Sequence, residues 1–229
     1  MKTIGLIGGM SWESTVPYYQ LINEYVKDAL GGLHSAKIAL YSVEFDEIER
    51  CQSENRWDDS AKILADAAAG LEKCGADFIL ICTNTMHKVL GQVQAAVNVP
   101  LLHIADATGD ALKAAGIRKV GLLGTRYTMQ QDFYKGRLAE AGFEVRVPAE
   151  EYIEELNRII FEELCVGVIL EESRQTFVKA IEDLKAQGCE GVILGCTEIG
   201  LLVRPEDSCL PTFDTTVIHA QAAAKKALE

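Results

Sequence analysis

One block of this chain occurs twice. LEKCGADFILICTNTM, residues 71–86, aligns without a gap on LKAQGCEGVILGCTEI, residues 184–199. A second pair accompanies it: Ile4-Gly5-Leu6-Ile7-Gly8 falls on Val120-Gly121-Leu122-Leu123-Gly124. The offsets, 113 and 116 residues, nearly coincide. Two copies at almost one spacing point to two similar halves of roughly 100 residues each, an ordinary domain size.

Strand and helix patterns alternate within each half. The first half reads as a buried strand at 3–9, a helix at 13–30, a strand at 37–45 and an Ala-rich helix at 58–75. A strand from Asp77 to Asn84, a helix near 86–96, a short strand at 101–105 and a helix to Ala115 follow. The pattern restarts at Lys119: strand, helix at 130–141, strand FEVRVP, a long helical stretch broken near Gly167, a helix at 174–188 and the strand EGVILGCTE. Such alternation predicts an α/β protein with two pseudo-symmetric domains, each an open, mainly parallel sheet flanked by helices. The expected domains are 1–98 plus 208–229, and 99–207. The tail PTFDTTVIHAQAAAKKALE is expected to return and pack on the first half. Open parallel sheets bind ligands beyond the carboxyl ends of their strands, so the active site is expected in the cleft between the halves.

Composition narrows the partners. The 229 residues are 48% hydrophobic and 24% charged, which suits a packed globular chain. The formal net charge of −12 argues against a general nucleic-acid or anionic-membrane binder, because those surfaces need excess Lys and Arg. No segment reaches the roughly 20 apolar residues of a membrane span. The first apolar run is cut short by Gly8, Gly9 and Glu13, so no secretory signal is read and a cytoplasmic protein is expected. The 7 cysteines form no CxxC pair or Cys/His cluster at zinc spacing. They are expected to be reduced thiols, with no metal site.

Both copies of the repeated strand run into small polar side chains. In the alignment Thr83 falls on Cys196, Asn84 on Thr197 and Thr85 on Glu198. Two mirror-placed proton carriers suit racemisation, which needs a base on one face of a carbon and an acid on the other. A cysteine serves if its thiolate is stabilised, since a free thiol has a pKa of about 8.5. A threonine is a poorer base, able to donate a proton or relay one.

The chain resembles the cofactor-independent aspartate/glutamate racemase family. The resemblance rests on GLIGGMSWEST (5–15), TNTMH (83–87), HIADAT (103–108), GTRYTMQQDFY (124–134) and GCTEIG (195–200), in order along nearly the whole chain. It implies a two-domain racemase that uses one cysteine per domain and no pyridoxal phosphate. Cys196 matches the second cysteine. Thr83 stands at the place of the first, with Cys82 one residue too early and expected to point into the packing. A Thr/Cys pair resembles a bacterial subgroup of L-aspartate/glutamate-specific racemases, and a homodimer is implied as well.

The resulting catalytic candidates are Thr83 and Cys196. The substrate-binding candidates are Met10, Ser11, Gln52, Asn84, Thr85, Thr125, Thr128, Thr197 and Glu198. Many of these residue types also cap helices and shape turns. Glu198 could orient a substrate ammonium, tune Cys196 or start a helix. His87 could polarise the site or cap, and His103 and Cys51 are read as structural. Arg126 and Lys135 are the candidate cations for a second carboxylate, because Cys165 stands where several relatives carry lysine. Two rival readings stay open: an isomerase or decarboxylase of the same superfamily that uses Cys196 alone, and a non-catalytic amino-acid-binding protein.

Overall fold

The computed structural model describes all 229 residues. The chain divides into two compact units, Met1–Ile104 with His219–Glu229, and Ala105–Ile218.

The first unit opens with β1 (Thr3–Gly8), α1 (Trp12–Leu30) and β2 (Lys37–Ser42). The predicted strand at 37–45 stops at Ser42, and an unpredicted helix α2 (Phe45–Ser53) follows. Glu44 starts it: its carboxylate accepts the backbone N–H groups of Asp46 (3.1 Å) and Glu47 (2.9 Å). Next come α3 (Trp57–Lys73), β3 (Phe78–Ile81), a 3-10 turn at Thr85–Val89, α4 (Leu90–Ala95) and β4 (Leu101–Leu102). The four strands form a parallel sheet in the order β2-β1-β3-β4. The strand predicted at 101–105 is only two residues long, because α5 (Ile104–Ala114) begins at once.

The second unit repeats the arrangement. It contains β5 (Lys119–Gly124), α6 (Arg126–Gln130), α7 (Asp132–Glu140), β6 (Glu144–Arg146) and α8 (Glu150–Glu162). After Gly167, whose φ of 75° ends the preceding turn, come α9 (Glu171–Ala186), β7 (Gly191–Gly195), α10 (Ile199–Leu202) and β8 (Thr212–Asp214). The parallel order β6-β5-β7-β8 matches the first sheet strand for strand.

The repeat has a physical cause at matched positions. The helices before β3 and β7 end in the same motif. Gly75 and Gly188 sit at φ 86° and 85°, and each frees the next N–H to reach a carbonyl five residues back: Ala76 to Leu71 and Cys189 to Leu184, both at 3.1 Å. Leu71 and Leu184 then press on Gly5 and Gly121. A Cβ at Gly121 would lie 2.6 Å from Leu184 Cδ1, and one at Gly5 would lie 3.0 Å from Ala76 Cβ. Only glycine lets helix and sheet approach this closely. Asp77 and Glu190 complete the match by accepting the backbone N–H groups of Thr3 (2.6 Å) and Arg118 (2.7 Å).

The tail divides. Its strand, β8, pairs with β7 in the second sheet. The helix α11 (Thr215–Leu228) carries the chain into the first unit. There Ala220, Ala223, Ala224 and Ala227 pack with Ile4, Leu6, Tyr18, Ile22, Phe78 and Leu80. Fully burying a side chain such as Leu80 stabilises the fold by about 1.5–3 kcal/mol.

Candidate active site

In each unit the carboxyl ends of the two central strands carry the candidate residues. At the end of β1, Met10 and Ser11 are buried and joined by a cis peptide. Ser11 caps α1, its Oγ accepting Ser14 N–H at 3.4 Å. Thr15 Oγ1 accepts the Gly9 N–H (2.8 Å) and donates to the Ser11 carbonyl (2.7 Å), which fixes the turn. Gly9 is held at φ 87°, and a Cβ there would lie 2.3 Å from the Val43 carbonyl oxygen.

Beyond β3 the chain bends through Thr83 and Asn84 into the 3-10 turn. Cys82 is fully buried in the apolar cluster with Leu6, Tyr18 and Leu80, and burial pushes its thiol pKa far up. Thr83, the next residue, is half-buried, while Asn84, Thr85 and His87 are buried. Gln52, on α2, is buried and donates to Met86 Sδ at 3.1 Å. Cys82→Ala is therefore expected to cost on the order of 1 kcal/mol of stability and to leave turnover intact, measured by urea melts beside an activity assay. Lost turnover in a stable Cys82→Ala protein would show that the thiol of Cys82 belongs to the site.

In the second unit, Thr125 follows β5 and caps α6. Its Oγ1 accepts Thr128 N–H (3.3 Å) and lies 3.2 Å from Thr128 Oγ1. Of the candidate cations, Arg126 pairs with Glu154 at 3.3 Å, and Lys135 donates to the Gln130 carbonyl at 3.2 Å.

After β7 come Cys196, Thr197 and Glu198, all buried. One carboxylate oxygen collects both neighbours: Glu198 Oε2 accepts from Cys196 Sγ and from Thr197 Oγ1, each at 2.9 Å. Burial is the first cause that pushes the Cys196 pKa well above that of an ordinary thiol, and the Glu198 charge and the nearby Cys165 add to it. The Cys196 thiol is thus directed at the Glu198 carboxyl group. Cys165 packs against the same apolar cluster as Cys196.

The fold also brings up residues that sequence reasoning passed over or read as structural. Sheet register places Leu102 beside Leu80 and Phe213 beside Ile193, and the residues that follow are His103 and Asp214. The fourth strands thus end in equivalent titratable groups, although HIADAT and FDTTV share no visible pattern. Burial raises the Asp214 pKa against the lowering effect of Val217 and Thr216 N–H. His219 lies in the first unit, fully buried. It accepts from Tyr18 Oη at Nδ1 (3.0 Å) and donates from Nε2 to the Leu102 carbonyl (3.0 Å). Burial first, and then the neighbouring His87, pull its pKa down to about 3, so its ring is neutral. No group of three or more His, Cys, Asp or Glu side chains is arranged to hold a metal ion, and no helix is long and apolar enough to cross a membrane.

Residues 7–223 match the family model described as Asp/Glu/hydantoin racemase. The chain belongs to this racemase family. A Yersinia pestis protein provisionally assigned as an Asp/Glu racemase has a crystal structure 57% identical in sequence, with a TM-score of 0.92 and 100% of each chain covered. The structure of an aspartate racemase homologue from Pyrococcus horikoshii OT3 is 41% identical over 100% of both chains, with a TM-score of 0.86. Among characterised sequences, the broad specificity amino-acid racemase RacX of Bacillus subtilis is 25% identical, covering 96% of this chain and 95% of its own. The racemase family assignment makes the chain an isomerase and agrees with its two parallel sheets flanked by helices.

Proposed function

We propose that this racemase inverts acidic amino acids, L-aspartate and L-glutamate, by cofactor-independent proton transfer at Cα. Cys196 serves one face and Thr83 the other. The observation that carries the reading is the Cys196 Sγ to Glu198 Oε2 hydrogen bond, 2.9 Å, at a strand end whose repeat presents Thr83. An approaching α-ammonium offsets the cost of a buried thiolate. Cys196 passes its proton to Glu198 and the thiolate removes the Cα proton on its face. The Thr83 hydroxyl delivers a proton to the opposite face as it takes one up from water, and Glu198 releases its proton to water, so that no alkoxide is left. Met10, Ser11, Gln52, Asn84, Thr85, Thr125, Thr128 and Thr197 supply hydroxyl, amide and backbone donors for the carboxylates and hydroxyl, amide and backbone acceptors for the ammonium. The two domains are those expected from sequence, 1–98 with 208–229 and 99–207, with β4 joining the first and β8 the second.

We read the enzyme as cytoplasmic and homodimeric. One face of α1 supports the dimer: Trp12 (65% exposed), Val16 (55%) and Tyr19 (56%) fall one above another, flanked by Leu40 of the edge strand β2.

The test is a panel of the common amino acids as single enantiomers, followed by chiral chromatography without added cofactor. Inversion confined to aspartate and glutamate is the expected result. Equal turnover of apolar and basic amino acids would move the enzyme toward the range named for the Bacillus relative. Carbon dioxide release from substituted malonates without any racemisation would overturn the reading in favour of a one-cysteine decarboxylase.

A further inference from the structure

The two strand ends are not held in the same way. After β7 the Cys196 carbonyl accepts a backbone N–H, that of Ile199 at 3.1 Å. After β3 the Thr83 carbonyl is held by a side chain, His87 Nδ1, at 2.8 Å. The His87 backbone N–H is used elsewhere, on the Asn84 carbonyl at 3.1 Å.

The surroundings fix which nitrogen of His87 carries the proton. Ile104 N–H donates to His87 Nε2 at 3.2 Å, so that nitrogen accepts and the proton sits on Nδ1, directed at Thr83. The ring is packed on two sides. His103 lies against it with centroids 4.6 Å apart, and His219 stands edge-on at 5.8 Å. His219 is itself clamped between Tyr18 and the Leu102 carbonyl. His87 is therefore an oriented donor, braced by two other buried imidazoles.

We infer that His87 is a positioning residue for Thr83, holding the backbone that aims the Thr83 hydroxyl at the substrate Cα. The inference rests on Thr83 serving one face of the reaction. A poor proton carrier depends strongly on placement, because a displacement of about 1 Å from the reacting geometry can cost on the order of 100-fold in rate. Cys196, held by its own backbone bond and by Glu198, does not depend on His87.

This difference gives a readout that a merely structural role would not move. In D2O, the enantiomer whose Cα–H meets Cys196 has two fates after deprotonation: once the thiol has exchanged its proton with solvent, a deuteron can return from it with retention, or a deuteron can arrive from the Thr83 side with inversion. Loss of Thr83 placement should raise the ratio of retention to inversion, whereas partial unfolding lowers both rates together. His87→Gln and His87→Asn separate the two bonds. A Gln amide reaches the Nε2 position and can still accept from Ile104, but it abandons the Thr83 carbonyl. An Asn amide N–H occupies the Nδ1 position and keeps that contact.

The expected result is a retention-to-inversion ratio raised about 10- to 100-fold in His87→Gln and close to wild type in His87→Asn, read by NMR and chiral chromatography on aspartate. Equal ratios in both variants and the wild type, with rates falling in parallel, overturn the inference and leave His87 a structural residue. Thr83→Val serves as the control for the underlying reading. If it leaves inversion unchanged, Thr83 is not a proton carrier and both proposals fall. If it abolishes inversion while the His87 variants do not alter the ratio, only the positioning inference falls.

Discussion

Cys196→Ser is expected to lower inversion and Cα proton exchange by about 100- to 10,000-fold, the range associated with losing a general acid or base. The protein should remain folded. Serine is close to cysteine in size, and its hydroxyl can keep the hydrogen bond to Glu198 Oε2 that the thiol makes at 2.9 Å. What it cannot do is ionise, because an alkoxide in this buried position beside a carboxylate is far costlier than a thiolate. Circular dichroism and a urea melt would check the fold, and chiral chromatography the rate. Near-normal turnover by folded Cys196→Ser would remove the thiol from the mechanism.

The second large effect is on stability. His219 is buried neutral, with its pKa lowered from 6.5 to about 3. The unfolded chain takes up a proton there below about pH 6.5 while the folded chain resists it, so stability from this group is present above that pH and is lost as the pH falls toward 3. Each pH unit in the window costs about 1.4 kcal/mol, or about 3 kcal/mol between pH 6.5 and pH 4. Urea midpoints measured across this window should fall more steeply for the wild type than for His219→Gln, whose amide can still donate to the Leu102 carbonyl. Parallel pH profiles would show that His219 titrates normally in the folded protein.

Much of the fold was legible because its causes are local. The terminating glycines Gly75 and Gly188, the strand glycines Gly5 and Gly121 and the apolar strands recur at nearly one spacing. Their agreement reveals both sheets before any long-range contact is known. Helix α2 escaped because KIALYSVEF reads as one extended run until the Glu44 carboxylate caps the next turn. Cys82 could be set apart from Thr83 by strand alternation alone. The brace behind Thr83 could not be seen, since Tyr18 and His219 are 201 residues apart and His219 and Leu102 are 117 apart. The equivalence of His103 and Asp214 likewise comes from sheet register, where side-chain type has diverged and backbone position has not. The Cys196–Glu198 contact joins residues two apart, yet its direction depends on how the turn after β7 folds.

The central claim is that unequal proton carriers serve the two faces of Cα, a thiol on one and a hydroxyl on the other. Because the two enantiomers are equally stable, the Haldane relation holds kcat/KM for the two directions of inversion equal. The asymmetry must therefore appear in kcat and KM separately, and in exchange with retention. The direct measurement is deuterium wash-in at Cα from L- and D-aspartate in D2O, by NMR at initial rates, for the wild type and Thr83→Cys. The account predicts faster retention exchange for one enantiomer, the L form on the resemblance to the Thr/Cys subgroup, and a narrower gap once a second thiol stands at position 83. Equal retention exchange from both enantiomers in the wild type, unchanged by Thr83→Cys, would contradict it.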